Sequence, residues 1–238
     1  MRIRLLLLSV FAFVIGLSAC KKNNDAPTAI LHSYLNVTNA TADTVNFYLN
    51  GTRLNTSSNL YPSGSSGYAL VTAGNQSYQV KKIFNPITNT VQTLFSIPLK
   101  LKANTLDTVY HSSLFIAGET LPQAFSTVDT LNNDTTANTS YVRFVNASPD
   151  AGSLDFAISS TVKFKNQAFK SASGFKLVSV NKDTTGLVPI NVYQAGGATP
   201  IISGKYVLVA GRSYTFYSKG QLAGTGNSIF SVGVTINN

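Results

Sequence analysis

The chain has one cysteine, no tryptophan and only nine acidic residues among 238. One cysteine cannot close a disulfide within the chain or supply the several thiolates of a structural zinc site. Stability must therefore come from burial and hydrogen bonding. Charged residues make up 11%, against about 25% in an ordinary soluble domain. Glu119 is the one glutamate, and most of the eight aspartates stand beside Thr, Asn or Pro. Glycoside hydrolysis by the usual route needs two carboxylates facing each other across a sugar. The two histidines, His32 and His111, fall in separate strand-like runs. No Gly-x-Ser-x-Gly elbow follows Cys20, and no phosphate-cradling loop of the Walker or dinucleotide type is present. No cofactor, metal site or catalytic residue is assigned on these grounds, and the expectation is a protein that is not an enzyme.

What replaces charge is neutral polarity. Ser, Thr and Asn number 73 of the 238 residues, a composition suited to pleated surfaces, where threonine is at home. Beyond the first twenty residues no apolar run keeps helical spacing. The formal charge of +9 becomes +7 when Arg2 and Arg4 are set aside (9 minus 2), and lysines such as Lys81, Lys100, Lys163 and Lys176 are scattered along the chain. Nucleic-acid binding needs basic residues clustered with stacking aromatics on one face, so nucleic acid is not an expected partner. Modest attraction to anionic lipid headgroups is.

The front of the chain reads as an address. Arg2 and Arg4 form a basic start, Leu5 to Leu17 a largely apolar run of thirteen, and Leu17-Ser18-Ala19-Cys20 closes it. That run is too short to cross a hydrocarbon core, which needs about 20 helical residues. Its ending resembles the lipobox of bacterial lipoproteins. The resemblance implies cleavage before Cys20, acyl chains (palmitate among them) on Cys20, and a membrane partner reached through those chains. Several chains on one residue anchor far more firmly than one. An ordinary secretory signal that happens to end at a cysteine is the alternative. No aspartate follows Cys20 in Lys21-Lys22-Asn23-Asn24, which points to the outer membrane of the cell envelope, on either its periplasmic or its surface face.

The remainder is written twice. Ser33 aligned with Ser140 sets an offset of 107 (140 minus 33), which pairs Tyr34 with Tyr141, Asn39-Ala40 with Asn146-Ala147, and Gly67-Tyr68 with Gly174-Phe175. The same offset returns downstream, matching Ala103 with Ala210, Thr108 with Thr215 and Tyr110 with Tyr217. A unit this long is a duplicated domain rather than a solenoid repeat. The expected organisation is a lipoprotein signal peptide (1–19), a lipid-anchored tether (20–29), a first β-domain (30–128), a linker (129–139) and a second β-domain (140–238).

Each copy reads as seven or eight short strands. Leu35 and Val37 alternate with Asn36, and Val142 and Phe144 point inward while Arg143 points out. Asn50-Gly51 between two strand-like runs is a two-residue hairpin signal, because both turn positions favour positive φ. Leu99-Lys100-Leu101-Lys102 has period two, with lysines on the wet face. Asn104 and Gly211 occupy matching turn positions and share a tolerance for left-handed backbone. Leu208 to Tyr214 resembles a tyrosine corner, for which the first copy has Asp107. The expected fold is all-β: two tandem antiparallel β-sandwiches of immunoglobulin or fibronectin III style, Greek key in connection.

VRFVNASPDA (142–151), LDF (154–156), Gly174-Phe175 and VAGRSYTFYSKG (209–220) together resemble domain of unknown function 4397, found in bacterial surface and secreted lipoproteins. The second copy carries the motifs more fully than the first, which has Thr41-Ala42 in place of Ser-Pro and Asn36 in place of the arginine. The resemblance implies a β-sandwich outside the cytoplasm and transfers no catalytic residues.

Few residues suggest a site. Asp150 and Asp155 read as turn-forming, with a calcium or ligand site as the alternative; two carboxylates fall short of the six to eight oxygens calcium takes. Five aspartates precede threonine, which resembles a bacterial O-glycosylation acceptor, and the exposed linker makes Thr130 and Thr135 the expected acceptors. Tyr61, Tyr68, Tyr193, Tyr206 and Tyr217 are the candidates for contact with a glycan or an envelope protein. The functional expectation is a binding, adhesion or assembly module without catalysis, or else a glycan-binding accessory of a polysaccharide-uptake system.

Overall fold

The computed structural model describes residues 30 to 237, apart from 57, 86–87, 89, 132–137, 160–161 and 181–185. The leader, Cys20 and the tether lie outside the described residues. Sixteen strands run in chain order: β1 (His32–Asn39), β2 (Val45–Leu49), β3 (Thr52–Arg53), β4 (Ser65–Thr72), β5 (Gly74–Asn85), β6 (Thr90–Leu101), β7 (His111–Ala117), β8 (Gln123–Asp129), β9 (Thr139–Asn146), β10 (Leu154–Ile158), β11 (Val162–Gln167), β12 (Lys176–Ser179), β13 (Leu187–Gln194), β14 (Pro200–Val207), β15 (Ser213–Lys219) and β16 (Ser231–Asn237). The one helical element among the described residues is a 3-10 turn, Gly226–Ser228.

The strands form four sheets of four, and the second eight repeat the order of the first. One sheet of each copy runs β4-β1-β7-β8 or β12-β9-β15-β16; the other runs β3-β2-β5-β6 or β11-β10-β13-β14. The protein is thus all-β, two tandem sandwiches of eight strands each. In the immunoglobulin scheme the first two strands share a sheet. Here β1 lies between β4 and β7 and is parallel to β7, and β9 is likewise parallel to β15.

Local sequence explains the elements. Asn50 and Gly51 sit at φ 50° and 79°, closing the β2–β3 hairpin through the positive-φ turn their residue types allow. Leu99 and Leu101 are buried while Lys100 is exposed. The Tyr214 hydroxyl accepts the Val209 amide at 2.9 Å, so the tyrosine corner forms. The first copy builds its corner differently. Asn104 lacks a positive φ; its side-chain oxygen accepts the Tyr110 amide at 2.8 Å and its own amide reaches the His32 carbonyl at 2.7 Å. These bonds close the turn without left-handed backbone, so the expectation for Asn104 fails while Gly211, at φ 79°, meets it.

Each sandwich has its own core. Leu35, Val37, Phe47, Tyr78 and Leu114 pack inside the first, and Phe144, Phe156, Phe164, Tyr214 and Phe216 inside the second. The chain from Leu31 onward nevertheless forms one compact unit. Strands β7 and β15 are buried on both faces almost throughout. One face of each looks into its own sandwich. The other looks at the sister sandwich, so the sheets containing β1 and β9 are the two inner layers of a four-layer stack. Asp129, read as the first linker residue, is the last residue of β8 and is buried; Thr139, read as the last, opens β9.

Candidate functional site

The most elaborate polar chemistry lies between the two sandwiches. Arg143 and Asp129 form a salt bridge of 2.6 Å with side chains 2% and 0% exposed. Arg143 does point away from its own core, as strand alternation requires, but into the neighbouring sandwich rather than into water. Its Nε donates to Thr215 Oγ1 at 2.8 Å, and its guanidinium carbon lies 4.8 Å from the centre of the Phe175 ring. Asp129 Oδ2 accepts from the Tyr68 and Ser113 hydroxyls, both at 2.5 Å, and Oδ1 accepts from Thr127 at 3.0 Å. A buried ion pair withstands the loss of its hydration only when its remaining donors and acceptors are met, and here they are. Burial, then the neighbouring Asp129 charge, pushes the Tyr68 phenol well above its ordinary range.

Around the pair the junction changes from polar to aromatic. Asn36 donates to Thr235 Oγ1 at 3.4 Å, and Asn237 to the Tyr68 hydroxyl at 2.8 Å. Next to them Ala40, Phe115, Ala117, Val145, Ala147 and Tyr217 form a shared apolar cluster. Tyr217 lies over Gly233, where an added Cβ would stand 2.2 Å from the ring, and its hydroxyl donates to the Ser63 carbonyl at 3.0 Å. At the edge, Glu119 accepts the Ala42 amide at 2.8 Å through Oε2, while its buried Oε1 lacks a partner among the described residues. Burial raises the Glu119 carboxyl and lowers the nearby Lys219 ammonium; each group's charge acts against the other's shift.

The first sandwich also contains a cavity of about 200 Å³. Leu35, Val37, Phe47, Leu60 and Val71 form its apolar floor; Thr56, Ser58, Ser65 and Ser66 stand among its remaining lining residues. Among the described residues no ionisable side chain lines it. A shallower depression lies beside the β13–β14 turn, bounded by Asp155, Lys163, Lys165 and Tyr193.

The residues singled out in the sequence are scattered. Cys20 and Thr135 lie outside the described residues. Thr130 is exposed, but the aspartate before it is Asp129, committed to the junction. Asp150 accepts the Leu222 amide at 3.0 Å, and Asp155 accepts the amides of Asn166 at 2.6 Å and Gly196 at 3.2 Å. Asp150 holds a loop and Asp155, within β10, holds the neighbouring turns; no group of three metal-ligating side chains occurs among the described residues. His111 stacks on Tyr34 at 5.0 Å and meets the edge of Tyr68 at 4.7 Å; burial lowers its pKa, against the Asp129 charge. His32 is exposed at the start of β1. Of the eleven tyrosines Tyr61 alone is exposed, at 61%, whereas Tyr217 is fully buried in the junction. Sequence reasoning missed the junction; its one signal was an arginine in the middle of the apolar strand VRFV.

The model of the family described as domain of unknown function DUF4397 matches residues 33–157. The chain belongs to this family. The match covers the first sandwich from Ser33 onward and the second as far as Ala157 in β10, including VRFVNASPDA and LDF, but not VAGRSYTFYSKG. Family character thus extends over the copy that carries the motifs less fully. Comparison with curated proteins gives no match.

Proposed function

We propose that this DUF4397 protein is a non-catalytic, lipid-anchored component of the cell envelope that acts as a binding, adhesion or assembly module. The observation that carries this reading is where the chemically capable side chains are spent. Of the five described aspartates, Asp129 is locked in the junction, Asp150 and Asp155 hold backbone turns, and Asp43 pairs with Lys82 at 2.6 Å. Only Asp107 is left on an exposed loop. Four of the five described aspartates thus serve rigidity, and what results is a stiff two-sandwich body. The Leu17-Ser18-Ala19-Cys20 sequence supports a tether of acyl chains on Cys20, the outer membrane as its destination and residues 20–29 as the spacer. Among the described residues no helix is long and apolar enough to cross a membrane.

Mass spectrometry of the protein purified from its own membranes tests the anchor. An amino-terminal peptide beginning at acylated Cys20, in the outer-membrane fraction, is expected. A terminus elsewhere without fatty acid overturns it. The glycan-binding alternative is favoured only by half-buried Tyr193 in the depression beside the β13–β14 turn. A glycan array showing saturable binding lost in Tyr193→Ala would establish that reading instead.

A further inference from the structure

We propose that the cavity of the first sandwich is a binding site for a small neutral molecule, one ring or a short alkyl body carrying a hydroxyl-type group. The fold does not force the cavity, because the second sandwich fills the same place. Val37 and Phe144 are equivalent: each amide donates to a serine of the neighbouring segment, Ser66 in β4 or Ser173 just before β12, at 2.9 Å. Phe47 and Phe156 are equivalent too, each paired across its sheet with a valine, Val80 or Val192. In the second sandwich Phe144 stacks on Phe156 at 4.7 Å, and Phe164 closes the other side at 6.0 Å. In the first, valine replaces the first of these rings, and half-buried Leu54, whose amide donates to the Phe47 carbonyl at 2.8 Å, lies where the third would be. These two replacements open the room beside Phe47, whose ring keeps one stacked partner, Tyr78, at 4.8 Å.

Interiors close such voids to near crystal density, and an unfilled one costs stability in proportion to its volume. One copy of this duplicated domain keeps the void while the other shows how to fill it. The size selects the ligand: an apolar cavity of about 150 Å³ takes up benzene, while drug-sized molecules need about 300 Å³ or more. About 200 Å³ suits one ring with one or two substituents. Charge is excluded because the lining offers no counter-ion, and an unpartnered buried charge is prohibitive. The lining also orients the guest. Asn55 is fully engaged, accepting the Phe47 amide at 2.9 Å and donating to Asn46 Oδ1 at 2.7 Å and to the Ser58 carbonyl at 2.8 Å. The hydroxyls of Thr56 and Ser58 are exposed and make no hydrogen bond to another described residue, so they are free to meet the ligand's polar end.

The test is a titration of the full chain in nanodiscs with 4-methylphenol, followed through leucine and valine methyl resonances, with 4-methylbenzoate as the charged control. Saturable shifts are expected at Leu35, Val37, Leu54, Leu60 and Val71, with affinity for the benzoate at least tenfold weaker. Val37→Phe, which copies the second sandwich, should raise the melting temperature and weaken 4-methylphenol at least tenfold. Leu54→Phe should do the same, and decides the matter should the first variant not fold. Absence of saturation, equal shifts in the second sandwich, or full affinity in the filled variants overturns the site. None of these outcomes depends on acylation of Cys20, so this site and the envelope reading fail separately.

Discussion

Arg143 and Asp129 are the side chains on which the union of the two sandwiches most depends, because neither can lose the other and remain solvated. Arg143→Met leaves a carboxylate buried without its cation. The expected cost is about 3–5 kcal/mol, or roughly 6–20 °C in melting temperature for a body of this size. Adding Asp129→Asn should recover part of that loss, because the amide oxygen still accepts from Tyr68 and Ser113 without carrying charge. Thermal unfolding of the unaltered protein and the two variants checks both statements; equal stability of the single and double variants would contradict them. A second residue-scale prediction concerns Gly233. A methyl group there meets the Tyr217 ring at 2.2 Å, and Gly233→Ala should cost about 1–3 kcal/mol as the ring is displaced, measured by urea titration. At this scale the sequence was only partly legible. Alternation places Arg143 on the face away from its own core, but alternation is silent on whether water or protein covers that face.

At the scale of elements, legibility follows locality. The Asn50-Gly51 hairpin and the tyrosine corner form as their residue types require, since turn chemistry is settled within a few residues. Tyr214→Phe should remove the hydroxyl that accepts the Val209 amide and cost about 0.5–1.5 kcal/mol, with the unfolding midpoint as readout and no change in strand content by circular dichroism. Asn104 was misread for an equally local reason. A side chain that can tolerate left-handed backbone can also close a turn with its own oxygen, and Asn104 takes the second course. Pairing order was less legible: the parallel contact of β1 with β7 joins segments far apart in the chain, and nothing in either strand's pattern names its neighbour.

For the whole molecule, the buried junction predicts that the two sandwiches unfold as one. Calorimetry of the intact chain should show a single transition, and Arg143→Met should split it into two. Two transitions in the unaltered protein would contradict the junction's energetic weight. The buried phenols set an alkaline limit. Burial pushes Tyr78 up to about 12, and Tyr68 and Tyr217 also upward. In the unfolded chain tyrosine ionises near pH 10, so the stability held by these neutral phenols is complete below that value and is lost as pH climbs toward 12. Lys219, lowered by burial, works in the opposite sense as pH approaches 10.5, but three phenols outweigh one amine. Urea midpoints measured on either side of pH 10, with phenolate absorbance, should show stability falling as the buried phenols ionise.

The sequence by itself determined the strand-rich class, the duplication and the turns, since composition, periodicity and a constant offset are carried by the order of residues alone. It also carries the Cys20 motif and the DUF4397 pattern. Only the tertiary structure decided that the modules share a buried ion pair, that a residue counted as linker is its anion, and that one copy keeps a cavity beside Phe47 where the other stacks Phe144 on Phe156. Those facts depend on which faces meet and how their volumes add, and strand alternation distinguishes two faces without saying what lies against either.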